Sequence, residues 1–480
     1  MLICINYFVD KQYNIQSSEI NIYMANTTKE YLRSVSEYID FEPEVAQMLI
    51  DSITVYDQAL YFLRQEYFRC RDLNWSELPK YPSKFDLMEL TKACENVKAT
   101  HLDINVKKDI VFQARSDWDS WTKSKTDYKK NPGKYLGEPK MPRYKYRFST
   151  YNTITIDKTR FRGDCDNEIK LPCSDTYVKI PDNIKKSWIV MLKIKYVCGK
   201  FKVVFIYDNN LKHLEKKNTR RLSDKDANVG CLGIDLGSKN IVTGVTYKCS
   251  RNQSFIIRGT EYKQVIRQVN HKIAELESKA ILCANAEITK ISKKDGLVKL
   301  CKNSSAMNSL WRYYNDFSET YMHTISNMII DFCLENRIGT LVVGHNDGWK
   351  QESDLTKENN KIFCSIRHSV LIEYLRYKCK DAGITFITTE ESYTSKCDHL
   401  AGESMEHHEK YLGKRPYRGL FISSKRGRMN ADCNGAIGML RKVNIIQDAD
   451  IVSLLDRGDI VSPVVVNVKG FKRPKQTVRK

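Results

Sequence analysis

The sequence predicts a multidomain α+β protein: a helical region, then a β-rich region, then an α/β domain. Three observations predict this order. Apolar residues recur at three- and four-residue steps near the N-terminus, β-branched and aromatic residues cluster in short runs between about 150 and 208, and short apolar runs alternate with helical stretches after 230. A chain of 480 residues is long enough for several domains with their own cores.

Composition narrows the class of protein. A hydrophobic content of 41% and a charged content of 28% are typical of a folded globular protein, and the net charge of +20 favours a polyanionic partner such as nucleic acid. The 15 cysteines are scattered without a CxxC pair, which argues against a disulfide framework and for a reducing compartment. No apolar run is long enough to span a membrane, and the N-terminus does not resemble a signal peptide, so we expect neither.

The first third of the chain reads as an extension followed by helices. We assign residues 1–27 to an N-terminal extension and residues 28–126 to a helical region. The stretch 41–68 places one apolar face on a helix, made by Val45, Leu49, Ile53, Tyr56, Leu60 and Leu63. A second helical stretch over 106–127 has Ile110, Ala114 and Trp118 or Trp121 on one side.

Residues 127–225 read as a linker followed by a β region. The segment 127–148 interleaves lysines and arginines with tyrosines among prolines and glycines, a pattern that favours contact with nucleic acid over a plain linker. Its candidate contact residues are Lys129, Lys130, Tyr135, Lys140, Arg143, Tyr144 and Lys145. The runs from 150 to 208 predict a small antiparallel barrel or sandwich, with a hairpin around Gly199.

Residues 226–445 predict an α/β domain, and residues 446–480 a basic C-terminal tail. The predicted strands are 231–236, 240–247, 254–259, 339–344 and 384–388. The predicted helical stretches are 261–335, 362–380 and 431–443. Alternating apolar strands and helices indicate a sheet covered by helices. The final segment, 469–480, is basic and free of acids, which is typical of disorder.

Acidic residues stand at the ends of three predicted elements. Asp235 ends an apolar strand, Glu390 and Glu391 follow the strand 384–388, and Asp432 begins a helix. Functional groups of α/β sheets collect at such ends. Carboxylates that converge there repel unless cations neutralise them, and two Mg²⁺ ions would do so. Each acid alone has another explanation: a turn former for Asp235, a surface charge for either glutamate, and a helix N-cap for Asp432.

The order of four stretches resembles a known nuclease family. These are GIDLG (233–237), LVVGHNDGWKQ (341–351), EESYTSKC (390–397) and NADCNGAIGMLRKV (430–443). Together they are similar to the RuvC-like (RNase H fold) module of Fanzor and TnpB proteins, transposon-associated RNA-guided DNA endonucleases related to type V CRISPR effectors. The resemblance implies a helical recognition lobe at 28–126, a wedge β-barrel within 127–225, and a RuvC-like nuclease domain with a helical insertion at 226–445.

The resemblance assigns catalytic and metal-binding roles to three carboxylates. Asp235 matches the first RuvC aspartate and Asp432 the third-motif aspartate, and both would bind Mg²⁺. The usual glutamate of the second motif is replaced by Gly344. In Fanzor proteins and some TnpB relatives a glutamate on a later strand substitutes, and Glu391 matches it best. Glu390 is the alternative, because a slip of one residue turns a strand side chain to the other face; Asp347 is a weaker candidate.

Residues 392–430 correspond to a degenerate zinc-ribbon-like loop. Many relatives have two CxxC pairs there, whereas this chain retains Cys397 before Cys433. Four zinc ligands could come from Cys397, His399, His407 and His408, but the spacing is unusual and we expect no zinc. We expect a basic loop that contacts nucleic acid or gates the site, through Lys414, Arg415, Lys425 and Arg426.

The resemblance implies an RNA-guided DNA endonuclease that cuts by Mg²⁺-dependent hydrolysis. Its partners would be a guide (omega) RNA and target double-stranded DNA next to a short motif, in a monomeric ribonucleoprotein without membrane contact. The alternative is a guided DNA-binding protein with an inactive site, and a third possibility is a resolvase of RuvC type that needs no guide. The relocated glutamate and basic tail favour Fanzor. The expected location is the nucleus for a eukaryotic or viral source, and otherwise the cytoplasm.

Overall fold

A computed structural model describes the larger part of the chain, in two compact units. The described residues are 32–40, 42–135, 137–145, 153–163, 165–210, 222, 230–249, 252–282, 288–292, 296–299, 304–345 and 364–468. One unit contains the described residues up to 210, and the other contains those from 222 onward. We call the two parts the N-terminal unit and the C-terminal unit. Among the described residues, no helix has the length and apolar character needed to cross a membrane.

The N-terminal unit contains the predicted helices. They are α1 (Pro43–Asp72), α2 (Lys84–Ala93), α3 (Glu95–Lys98) and α4 (Ile104–Lys130). All six apolar residues predicted for one face of α1 are buried, as are Ile110, Ala114, Trp118 and Trp121 of α4. The helical periodicity is therefore confirmed in both helices. Helix α4 continues to Lys130, past the boundary predicted at 126.

The β region of the N-terminal unit is an antiparallel sheet of order β1-β6-β5-β2, beside a two-stranded sheet of β3 and β4. The strands are β1 (Leu32–Ile39), β2 (Thr153–Asp157), β3 (Glu168–Lys170), β4 (Tyr177–Lys179), β5 (Ile189–Val197) and β6 (Lys200–Asp208). The predicted hairpin joins β5 to β6, and Cys198 and Gly199 both have positive φ, as a tight two-residue turn requires.

Strand β1 lies inside residues 28–126, the region that was assigned as helical. It pairs with β6 along its whole length, from Leu32 opposite Asp208 to Ile39 opposite Phe201. None of its side chains is fully buried. The strand therefore lacks the strong alternation that would have indicated it, and it forms because β6 supplies a pairing edge. Helices and sheet also share one apolar core, which includes Leu63, Trp118 and Phe205.

The C-terminal unit is built on a six-stranded mixed sheet of order β13-β12-β7-β8-β9-β17. Its strands are β7 (Gly230–Leu236), β8 (Asn240–Tyr247), β9 (Ser254–Arg258), β12 (Ile338–Gly344), β13 (Thr385–Thr389) and β17 (Val464–Val466). Strand β7 runs antiparallel to β8 and parallel to β12, which in turn runs parallel to β13. This mixed sheet confirms the predicted α+β class.

Helices cover the sheet. They are α5 (Thr260–Leu282), α6 (Ser305–Glu335), α7 (His368–Ala382), α8 (Ala431–Lys442) and the short α9 (Val452–Leu455). Helices α5, α6 and α7 pack in an apolar cluster with Leu232 and Ile234, whereas α8 packs in a second cluster with Val342. Burial of both faces explains why these strands are almost continuously apolar in sequence.

Two predictions for this part of the chain were wrong. The stretch 261–335 is not one helix, because the hairpin of β10 (Ile288–Ser292) and β11 (Gly296–Lys299) separates α5 from α6. Residues 446–480 are not only a tail, because β17 pairs in parallel with β9 and closes that edge of the sheet. The basic composition of 469–480, which lies outside the described residues, dominated the prediction. The short valine run 464–466 was therefore not recognised as a strand.

Candidate active site

Helix α8 lies directly against strand β7, and two glycines allow this contact. A Cβ atom at Gly233 would stand 2.5 Å from the backbone oxygen of Ala436 and 2.7 Å from Leu440 Cγ, so no side chain fits there. A Cβ atom at Gly435 would stand 3.2 Å from the carboxyl carbon of Asp235. The first turns of α8 therefore pass close to the carboxylate that ends β7.

Asp432 stands in the first turn of α8 and is not its N-cap. Asn430 caps the helix, since its side chain accepts hydrogen bonds from the backbone N–H groups of Asp432 and Cys433. The Asp432 carboxylate is thereby available to other groups. It accepts a 2.7 Å hydrogen bond from Asn240 Nδ2, and the Arg415 guanidinium lies 3.5 Å away. The N-cap explanation of Asp432 was therefore wrong.

The side chain of Glu391 fills the space beside Gly344. Strand β12 ends at Gly344, opposite Thr389 of β13, and Glu391 follows two residues later. A Cβ atom at Gly344 would lie 2.8 Å from Glu391 Cγ. A side chain at position 344 and the present side chain of Glu391 therefore compete for one volume at the end of the sheet.

The side chain of Glu390 faces solvent and Lys442, away from Gly344. Its side chain is 66% exposed and lies 3.8 Å from Lys442 Nζ, and it also accepts a hydrogen bond from Ser392 Oγ. The structure therefore places Glu391, and not Glu390, beside Gly344. Asp347, the weaker candidate, lies outside the described residues.

The carboxylates of Asp235, Glu391 and Asp432 form one electrostatic cluster. Burial raises the pKa of Asp235 well above its ordinary value, and repulsion from the carboxylates of Glu391 and Asp432 raises it further, against the opposing effect of Arg415. Burial raises the pKa of Glu391 to about 7. Charge in this cluster is costly, and a cation bound next to these carboxylates would lower that cost.

The donor chemistry suits Mg²⁺, which prefers a few carboxylates together with water and phosphate oxygens. Within the described part of the chain, no three His, Cys, Asp or Glu side chains are grouped so that they could hold one ion. A site for two ions would not need all three carboxylates on one ion, and carboxylates are the type of donor that such a site uses.

Cations lie at the carboxylate cluster and at the turn that follows Asp235. Arg415 was predicted as a nucleic-acid contact, and the structure places it at Asp432. Arg418 donates a 2.8 Å hydrogen bond to Ser238 Oγ, in the turn that follows Asp235. Burial lowers the pKa of Lys263 to about 8, and repulsion from Arg418, Arg267 and Lys239 contributes. A positive surface therefore borders the site.

Sequence reasoning missed Asn240, Lys263 and Arg418. Asn240 could have been found, because it stands five positions after Asp235 across a tight turn, and β7 and β8 form a hairpin. Lys263 and Arg418 gave no local signal, since one lies on α5 and the other in the turn between β14 (Lys414–Tyr417) and β15 (Leu420–Ser423).

Hydrogen bonds hold the loop 392–430, which ends in β15 and β16 (Gly427–Asn430). Both ring nitrogens of the buried His399 are engaged, Nε2 by the Thr394 carbonyl at 2.7 Å and Nδ1 by Arg441 at 3.2 Å. The buried carboxylate of Glu403 accepts from the backbone N–H groups of Asp398, at 2.6 Å, and Leu412, at 2.7 Å. His399 thus has no free nitrogen for zinc.

We expect Glu403→Gln to destabilise this loop. The amide cannot accept from both backbone N–H groups, so one buried donor loses its partner, at a cost of about 1–3 kcal/mol in the free energy of unfolding. Urea denaturation of the two proteins measures the difference. Glu406→Gln, at an exposed position, serves as the control. In Mg²⁺-free buffer, chelators should leave the melting temperature unchanged, and a fall on chelation would show that zinc holds the loop.

The other predicted nucleic-acid residues divide into exposed and engaged groups. Lys129, Lys130, Lys140, Arg143, Lys414 and Lys425 are exposed. Tyr144 is 46% exposed, under the Arg64 guanidinium, and Tyr135 donates a 2.6 Å hydrogen bond to Asp127. Lys145 lies over the Tyr56 ring at 3.8 Å, and Arg426 donates to the carbonyls of Leu454 and Leu455. Lys145 and Arg426 therefore make contacts within the protein.

Comparison with known proteins gives one family match and several similar structures. Residues 368–439 match the Cas12f1-like TNB domain. No curated protein matches the chain. A Cas12f1–sgRNA–target DNA complex is similar at 12% identity, with 83% of each chain covered and a TM-score of 0.45. The mini-RNA-guided endonuclease CRISPR-Cas_phi3 is similar at 12% identity, with 87% of this chain and 92% of that chain covered and a TM-score of 0.42.

A third similar structure is C2c1 of Alicyclobacillus acidoterrestris in complex with single-guide RNA. It is 9% identical, covers 83% of this chain and 69% of that chain, and has a TM-score of 0.31. The matched family domain spans α7, β13, the loop 392–430 and most of α8. It therefore includes two of the three clustered carboxylates, Glu391 and Asp432.

Proposed function

We propose that this protein is an RNA-guided DNA endonuclease whose nuclease site is formed by Asp235, Glu391 and Asp432. The observation that supports it most is the electrostatic coupling of these three carboxylates, which are distant in sequence, at the end of a mixed sheet. The Cas12f1-like TNB match supports the same class. The proposed partners are a guide (omega) RNA and target double-stranded DNA, bound by a monomeric protein of Fanzor type.

Each residue of the site has a distinct proposed role. Asp235, Glu391 and Asp432 would hold Mg²⁺, which when bound would activate the attacking water and stabilise the leaving 3′ oxygen. Asn240 orients the Asp432 carboxylate through its 2.7 Å hydrogen bond. Arg415 would place a positive charge next to a phosphate bound at Asp432, and Arg418 and Lys263 would add positive charge at the neighbouring turn.

The proposal is tested by purifying the expressed protein, sequencing the RNA bound to it, and assaying cleavage of DNA that matches the guide part of that RNA. We expect a defined co-purified RNA and Mg²⁺-dependent cutting of matched DNA only. Cleavage of branched DNA after all RNA has been removed would instead identify a resolvase, and the absence of any bound RNA would contradict the proposal.

A second candidate is a guided DNA-binding protein that does not cut. It is favoured by Gly344 at the usual position of the second acid and by the Arg415 guanidinium 3.5 Å from Asp432, where it partly neutralises that carboxylate without a metal. This candidate predicts that the RNA-loaded protein binds matched DNA and leaves it intact at every Mg²⁺ concentration. A binding assay and a cleavage assay on the same preparation separate the two functions.

We expect Lys263→Met to weaken the apparent affinity for DNA by about tenfold, because one desolvated cation next to Arg418 is lost. The wild-type affinity should fall as the pH rises through about 8, where Lys263 loses its proton. Lys263→Met should lack that step. Lys272→Met, at an exposed position of the same helix, is the control. Titration of matched DNA between pH 6.5 and 9 measures both effects, and equal pH profiles in all three proteins would contradict the assignment.

A further inference from the structure

A tryptophan in a strained conformation follows the end of α1. The helix is closed by two hydrogen bonds, from Asn74 N–H to the Arg71 carbonyl at 2.9 Å and from Trp75 N–H to the Cys70 carbonyl at 2.8 Å. Both residues have left-handed backbones, with φ of 50° at Asn74 and 58° at Trp75. This conformation suits glycine and costs a bulky residue about 1–2 kcal/mol. The indole is nonetheless 47% exposed.

Trp75 forms one wall of an aromatic groove. Its ring centroid lies 5.1 Å from that of Tyr67, which lies 5.3 Å from that of Trp121. Tyr81 and Pro79 complete the apolar lining of a groove of about 320 Å³. Trp121 is buried, and its Nε1–H donates to the Pro139 carbonyl at 3.0 Å, so this wall is fixed. The groove thus offers a planar ligand one exposed aromatic face on a rigid support.

Lysines of α4 line the same groove. The Lys125 ammonium donates a 2.7 Å hydrogen bond to Tyr67 Oη and lies over the rings of Tyr67 and Trp121, at 5.0 and 5.3 Å. Lys129 lies at the rim and is exposed. One side of the groove is therefore aromatic and the other is cationic.

A second groove continues along α4. It shares Thr122 and Thr126 with the first and is lined by Lys123, Lys130 and Asp127. The Asp127 carboxylate is paired with Lys134 at 2.8 Å and accepts from Tyr135, so its charge is offset locally. At the other end, Glu66 and Glu77 share the single guanidinium of Arg69, so the positive charge lies on the α4 side. The surface beside the aromatic groove therefore carries a positive track.

We propose that the aromatic groove binds a base of single-stranded nucleic acid, stacked on Trp75, while the adjoining phosphates contact Lys129 and Lys130. Aromatic faces beside a cationic track suit single strands, because every base has a π-face and every linkage a negative charge. The strained backbone fixes the orientation of the indole before a base binds. The inference rests on the proposed function only for the class of ligand, nucleic acid.

The test measures the affinity of the full-length protein, freed of RNA, for short single-stranded RNA and DNA oligonucleotides and for their abasic counterparts. Trp75→Gly removes the ring and relieves the backbone strain, so its melting temperature should equal or exceed that of the wild type. We expect it to bind base-bearing oligonucleotides about tenfold more weakly, and to lose the preference of the wild type for them over abasic ones. Trp75→Phe should retain most of the affinity.

Salt dependence separates the two halves of the site. Lys129→Ala should reduce the slope of log affinity against log salt by about 0.7, as expected for one phosphate contact to a single strand, whereas Trp75→Gly should leave the slope unchanged. Phe85→Ala, an exposed aromatic position outside the groove, is the control. Comparison of the RNA and DNA arms identifies the preferred strand.

The inference is overturned if folded Trp75→Gly binds base-bearing and abasic oligonucleotides like the wild type, or if Phe85→Ala loses as much affinity. These outcomes do not depend on cleavage. A wild type that shows the base preference but never cuts guided DNA would contradict the proposed nuclease function and leave the nucleobase site in place.

Discussion

Asp235→Asn should reduce cleavage of guided DNA by at least about a thousandfold while leaving RNA binding intact. The change removes one charge from the proposed metal site, and the several kcal/mol of transition-state charge stabilisation that such a site provides correspond to factors of this size. Single-turnover cleavage with saturating Mg²⁺ measures the loss. Glu373→Gln, an exposed acid on α7, is the control and should cut like the wild type.

The same substitution should stabilise the metal-free protein. The pKa of Asp235 is raised in the folded state, so the folded protein binds more protons than the unfolded chain above the ordinary carboxyl pKa, and the free energy of unfolding falls as the pH rises. The asparagine side chain carries no charge and avoids this penalty. We expect a higher melting temperature than wild type at pH 8 in chelator, and a smaller difference at pH 4.

Loss of activity together with a gain in stability would separate a functional defect from misfolding. Asp432→Asn should reduce cleavage to a similar extent. If Asp235→Asn cuts at the wild-type rate, the assignment of the site is wrong. If it loses activity and also stability at pH 8, the three carboxylates do not repel one another in the folded protein.

The second large effect concerns the carboxylate of the second motif, which can be moved from position 391 to position 344. Glu391→Ala should abolish cleavage, because the carboxylate beside Gly344 is lost. Gly344→Glu alone should also impair the protein, because its Cβ would stand 2.8 Å from Glu391 Cγ and 2.6 Å from Met439 Cε. The double variant Gly344→Glu with Glu391→Ala removes the first clash and returns a carboxylate to the same volume, and the flexible Met439 side chain can move.

We therefore expect the double variant to cut DNA at least about tenfold faster than either single variant, a coupling of more than about 1.4 kcal/mol between the two positions. Cleavage rates of the four proteins measure it as a double-mutant cycle. Glu390→Ala is the matched control and should retain activity, since Glu390 faces Lys442. A strictly additive cycle, or loss of activity in Glu390→Ala, would show that Glu391 does not substitute for an acid at 344.

The site also sets a pH requirement. Because burial raises the pKa of Glu391 to about 7, the carboxylate is protonated below that pH and ionised above it. Mg²⁺ needs the ionised form, so at low Mg²⁺ the cleavage rate should fall as the pH drops from 8 to 6. Higher Mg²⁺ should move this loss to lower pH, because a bound cation stabilises the charge.

Features that depend on neighbours a few residues apart were predicted correctly from local patterns. The three- and four-residue spacing of apolar side chains predicted the buried faces of α1 and α4, because a helix repeats every 3.6 residues. The apolar runs predicted the central strands β7 and β12, and the positions of Asp235 and Asp432 at element ends followed from the same local patterns.

Features that depend on residues far apart in the chain became visible only in the folded protein. Either Glu390 or Glu391 could follow β13, and only the register of β13 against β12 turned Glu391 toward Gly344. Strands β1 and β17 have weak local patterns and form because β6 and β9 offer pairing edges. In the sequence, Arg415 cannot be distinguished from the other basic residues of its loop. The folded structure places it beside Asp432. Local periodicity specifies the elements, whereas register and long-range contact select which side chains meet.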